Sequence, residues 1–136
     1  MLGRGNRIFE TEAQMTTAKS LADQTCVPCK GGMPPLDPDR VKELMASLHP
    51  DWQLSMDDGS ISRRFSTRNF ARALALTDAV GAMAEEQGHH PDLALGWGYV
   101  TVTWTTHAAK GLSENDFICA ARTDRLAEAQ AQGKSA

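Results

Sequence analysis

His89, His90 and Pro91 set two imidazoles side by side, and His107 adds a third at the end of a strand-like run that begins a few residues later. Histidine is the side chain whose unperturbed pKa lies near neutrality, so three on one hairpin point to acid-base chemistry that needs no metal. Neighbours in an extended segment face opposite ways, which makes His89 and His90 poor joint ligands for one ion and better suited to different parts. Pro91 confines His90 to extended backbone. A lone histidine on a strand is more often structural than catalytic; the grouping of three changes that balance. A three-histidine metal hydrolase stays open as an alternative, and it requires bound metal at stoichiometric levels.

Acidic residues near these histidines have two readings each. Ser113-Glu114-Asn115-Asp116 has capping-box spacing, with Asp in place of the usual Glu or Gln. A carboxylate at a helix N-terminus is favoured by the helix dipole, so Asp116 can begin the helix and also orient a histidine. Glu85 and Glu86 fall on the exposed end of a helix, where solvated charge is the simpler explanation. Trp52 reads as core.

Several elements must hold these groups. Asp37-Pro38 reads as an N-cap followed by proline at the first helical position, with Val41, Leu44, Met45 and Leu48 at helical spacing until His49-Pro50. Trp52–Met56 and Ile61–Phe65 flank Asp57-Asp58-Gly59 and form a hairpin whose glycine supplies a positive φ. From about Arg68 a second helix spreads Phe70, Ala73, Leu74, Thr77, Val80, Met83 and Ala84 over a broad apolar face, closed by Gly88. An apolar stretch from Leu93 to Trp97 then leads through Gly98 into a clean alternation. Val100, Val102 and Trp104 take one face, whereas Thr101, Thr103, Thr105 and His107 take the other. The apolar face packs on helices, leaving the polar face, with His107, as the open side of the sheet. A last helix, capped by Ser113, carries Phe117, Ile118, Ala121 and Leu126 inward, and the chain after Ala127 is polar enough to fray. The expected fold is α+β, with three helices packed on one face of a four-stranded antiparallel sheet.

The 136 residues suffice for one domain, here 26–130, between a flexible leader at 1–25 and a flexible tail at 131–136. Met15 offers an alternative start. A net charge of -3 gives no basic footprint for nucleic acid, and neither a membrane span nor a secretory signal is present, which suggests the cytoplasm. Cys26, Cys29 and Cys119 do not suit a disulfide framework and read as reduced thiols. Cys26 and Cys29 resemble half a zinc site, but no second pair exists to complete four ligands.

The stretch Gly88-His89-His90-Pro91-Asp92, with Trp104-Thr105-Thr106-His107 and Gly111-Leu112-Ser113-Glu114-Asn115-Asp116, resembles the pterin-4a-carbinolamine dehydratase family, in its small bacterial form. The resemblance covers about residues 26 to 126. It implies dehydration of a 4a-hydroxytetrahydropterin to the quinonoid dihydropterin, which recycles the cofactor of aromatic amino-acid hydroxylases such as phenylalanine hydroxylase. The pterin is then the substrate, and no separate cofactor is implied. Carried onto this chain, the catalytic histidines are His89, His90 and His107, with substrate contacts at Pro91, Thr106, Ala108 and Ala109. Asp116 falls on an acidic position of the same region, and Glu85 where some relatives carry a glutamate near the pocket. Which histidine is acid and which is base stays open. The sequence departs from the family at the link between Phe65 and Phe70 and at Ala108-Ala109-Lys110. Open edges of a short sheet imply a homodimer or homotetramer. A non-catalytic dimerisation module acting as a transcriptional coactivator is the alternative.

Overall fold

Proline at the first turn and apolar residues three and four apart produce helix α1, Pro38–Ser47, which buries Val41 and Leu44. The computed structural model describes residues 21–27 and 34–132. After α1 come strands β1, Gln53–Leu54, and β2, Ile61–Ser66, then helix α2, Phe70–Gln87. Strands β3, Asp92–Gly96, and β4, Tyr99–Trp104, a short 3₁₀ turn at His107–Ala109, and helix α3, Glu114–Ala131, complete the order. All strand pairs are antiparallel and the sheet runs β1-β2-β4-β3. The fold is therefore α+β, a four-stranded antiparallel sheet with three long helices.

Alternation along β4 settles which side is covered. Val100, Val102 and Trp104 are fully buried, as are Ile61 on β2 and Phe117 on α3, so one core joins the sheet to its helices. Two turns depend on backbone that most residues avoid. Gly98 takes φ 84° between β3 and β4, and Gly88 takes φ 67° as it closes α2. In the first hairpin the left-handed residue is Asp58 rather than the glycine expected there. Aspartate tolerates that region better than most residues, and the Ser55 hydroxyl and Asp57 carboxylate accept the Gly59 N–H beneath it.

Four further expectations need correcting. Phe70 and Leu74 of α2 face outward, while Leu76 lies inside, so the buried stripe is Ala73, Leu76, Val80, Met83 and Ala84. The strand ends at Trp104, so His107 opens a 3₁₀ turn instead of standing on the open face of β4. The leader is packed from Leu21 on: Leu21 and Ala22 are buried, and Arg125 pairs with Asp23 at 2.9 Å. Helix α3 continues past Ala127 to Ala131, where the Gln130 side chain donates to the Arg72 carbonyl at 2.9 Å. Met15, Cys29 and residues 133–136 lie outside the described residues.

Candidate active site

Gly88 turns the chain off α2 so that the next two side chains diverge. His89 goes in and His90 goes out. The His89 ring lies flat against Trp104, with 5.5 Å between centroids and 13° between planes, on the side of the sheet that the helices cover. It is therefore on the covered side of the sheet and not on the open face that the sequence assigns to His107. Its Nε2 forms a 2.6 Å hydrogen bond with Oδ1 of Asp116. The carboxylate is fully buried and the imidazole nearly so.

Asp116 is the hub of the site. Its Oδ2 accepts the Thr106 hydroxyl at 2.7 Å and the Ser113 backbone N–H at 2.9 Å, the second being one half of the capping box read from the sequence. Thr106 spends its proton on Asp116, so the Ser113 hydroxyl, 2.7 Å away, must donate to the Thr106 oxygen. A carboxylate only accepts, so Nε2 of His89 carries a proton and the ring is held in one orientation. One side chain thus ties the histidine doublet to residue 106, immediately before His107. Thr106 and Ala109 are buried, and the Thr106 hydroxyl is engaged by Asp116 while the residue also borders the cavity that His107 lines.

His90 is paired differently. Its Nε2 meets Oε2 of Glu85, back on the last turns of α2, with both side chains open to solvent. His107 is exposed at the start of its turn and lines a cavity of about 280 Å³ with Asp57, Ser60, Thr105 and Lys110. That volume is close to the lower end for small-molecule sites. The Ser55 hydroxyl and then the Gly59 N–H hold the Asp57 carboxyl below the usual aspartate range, so an ionised carboxylate stands beside Lys110 and His107. Sequence reasoning treated Asp57 as a turn residue only. Its signal was there, in the Ser-x-Asp-x-Gly pattern that orders the turn, but not its approach to residue 107. Pro91 and Ala108 are partly exposed beside His90 and His107, respectively.

A larger cavity of about 700 Å³ contains none of the three histidines. It lies where Arg63 reaches Asp124 at 2.7 Å, and Asp124 also accepts the Trp52 indole N–H. Burial pushes the Asp124 carboxyl up, while Trp52 and Arg63 draw it down. These are structural partners. Among the described residues, no three His, Cys, Asp or Glu side chains are grouped as a metal ion would need.

The family model for pterin 4 alpha carbinolamine dehydratase matches residues 34–126, which include every one of these groups. The chain belongs to that family. Membership of the pterin 4 alpha carbinolamine dehydratases places it among the hydro-lyases. It is 47% identical over 116 residues to the protein of Cupriavidus pinatubonensis named "Putative pterin-4-alpha-carbinolamine dehydratase 1", covering 85% of this chain and 99% of that one. A transcriptional coactivator/pterin dehydratase from Brucella melitensis, solved by crystallography, superposes with a TM-score of 0.65 at 27% identity, over 68% of this chain and 98% of that one. A pterin dehydratase-like protein identified as a RuBisCO assembly factor in the α-carboxysome aligns with a TM-score of 0.51 at 31% identity, over 58% and 92%. Among the described residues no helix is long and apolar enough to cross a membrane.

Proposed function

We propose that this protein dehydrates a 4a-hydroxytetrahydropterin to the quinonoid dihydropterin by histidine acid-base catalysis. The C4a–O bond breaks, the hydroxyl leaves as water with one added proton, and N5 gives up its proton as the C4a=N5 bond forms. The step needs an acid and a base that both work near neutral pH, which imidazoles provide. His90 and His107 are the solvent-facing pair and carry those parts. His89, held in one orientation by Asp116, supports the pterin together with the backbone around Thr106, Ala108 and Ala109. Pro91 keeps His90 extended, and Glu85 orients its ring through a direct hydrogen bond.

The observation that carries this reading is the bridge through Asp116, from His89 on one oxygen to Thr106 on the other. It fixes the doublet and the His107 turn relative to each other. In this reading the pterin is the substrate, the enzyme uses no cofactor of its own, and it recycles the pterin of an aromatic amino-acid hydroxylase in the cytoplasm. Strand β3 lies at the edge of the sheet, and its free side suits pairing with a second copy, as a homodimer or within a homotetramer.

The test is a direct assay with enzymatically generated 4a-carbinolamine, comparing the parent with His107→Ala. A positioned acid or base is worth about 10² to 10⁴ in rate, so the folded variant should lose turnover by that order. A folded His107→Ala protein working at the parent rate removes His107 from the mechanism. A parent protein that does not accelerate the reaction above buffer removes the proposal, and leaves the binding role suggested by the coactivator-like and assembly-factor relatives.

A further inference from the structure

Cys26 lies three residues before Cys29 in sequence and meets Cys119 in space. Its Sγ lies 3.4 Å from Sγ of Cys119, which is fully buried in α3. Nothing in the acid-base site uses either sulfur.

The chain around Cys26 is fastened to α3 by a row of contacts. The Asn115 side chain grips the backbone of Val27 twice, accepting its N–H at 3.1 Å and donating to its carbonyl at 2.7 Å. The Cys26 N–H reaches the Gln87 side chain at 2.9 Å, and Arg122 donates to the Gln24 carbonyl. Asn115, Cys119 and Arg122 follow at spacings of four and three, one stripe of the helix, and residues 24–27 lie along it. The two sulfurs are therefore held in register by bonds on both sides. A disulfide needs about 2.05 Å, so a further approach of little more than 1 Å closes the gap.

We propose that Cys26 and Cys119 form a peroxide-oxidised disulfide that fastens segment 21–27 to helix α3, one turn beyond Asp116. Cys26 is the half-buried member and takes the oxidant, whereas Cys119 resolves. The Cys26 thiolate attacks hydrogen peroxide, the O–O bond breaks, and with one proton the products are a sulfenic acid and water. The Cys119 sulfur then attacks the sulfenic sulfur and expels a second water. Two thiols and one peroxide give one disulfide and two waters. The hydrogen bond with Cys119, and then the His89 and Arg122 charges, hold the Cys26 thiol below its ordinary value, while the same bond and burial push Cys119 up.

The experiment uses the full chain and Cys29→Ser, each reduced, desalted and treated with about one equivalent of hydrogen peroxide, followed by non-reducing peptide mapping. In Cys29→Ser a cross-link between the peptides of Cys26 and Cys119 should form and revert with dithiothreitol, with a rise of several degrees in Tm because the tie closes a long loop. Absence of that cross-link in Cys29→Ser overturns the proposal, whether oxidation stops at a Cys26 sulfinic acid or does not occur. Its absence in the unsubstituted chain, with Cys26 joined to Cys29 instead, overturns it as well. In the Cys29→Ser background a Cys119→Ala variant, where it folds, should hold Cys26 as the sulfenic acid at one equivalent of peroxide and take it to the sulfinic acid with a second.

Discussion

Two histidine–carboxylate pairs rise from one His-His dipeptide, and they differ in almost everything except chemistry. In the His89–Asp116 pair the side chains are 8% and 0% exposed; in the His90–Glu85 pair they are 60% and 77% exposed. Water screens the outer pair and leaves it free to exchange protons, whereas the inner pair is dry, shared with Thr106 and Ser113, and fixed in one arrangement. On the proposed mechanism, neighbouring residues on one backbone thus divide labour between fixing geometry and moving protons. The division is imposed by Gly88 and Pro91 on either side.

The sharpest way to break this comparison is Asp116→Ala. Removing one partner of a buried pair leaves the other polar groups stranded, so urea unfolding should show a loss of about 3 to 5 kcal/mol. A loss below about 1 kcal/mol would make the inner pair equivalent to the outer one. Thr106→Val keeps the shape and deletes only the hydroxyl that Asp116 accepts, and should cost about 1 to 2 kcal/mol in the same measurement. Glu85→Gln should change stability by less than about 1 kcal/mol, and that small difference should shrink further in high salt.

The smallest effect is expected at Asp57, the carboxylate of the His107 cavity. Its titration, followed by NMR, should have a midpoint below the ordinary 3.8, and Ser55→Ala should move it back up. The sign follows from linkage. A depressed carboxyl contributes stability above its unfolded value and loses it as the pH falls through the folded one.

Local patterns carried much of this molecule. The Val100-Val102-Trp104 alternation and the Ser113–Asp116 spacing specify their elements through contacts a few residues apart and appear as read, whereas Asp37 takes the N-cap position before Pro38 without a side-chain capping bond. Period two even continues through Thr106, which is why its hydroxyl points inward, although the strand itself has stopped. What escaped was sidedness and distance. Alternation says that His89 and His90 oppose each other but not which one meets the core; the answer depends on Trp104 and Asp116, both supplied by later elements. On α2 the apolar stripe took in Phe70 and Leu74 and missed Leu76, because Phe70 and Leu74 share the helix period with a face left exposed among the described residues. The approach of Cys26 to Cys119, 93 residues apart, leaves no trace in any local window.

Asp116 sits where a helix must begin, and it also sets the orientation of a histidine. Damage there removes foundation and function together, so a dead protein carrying a change at 116 says little about chemistry. On the proposed mechanism, anyone wanting a silent but intact scaffold, for instance to ask whether this chain recruits other proteins, should alter His107, whose side chain is exposed.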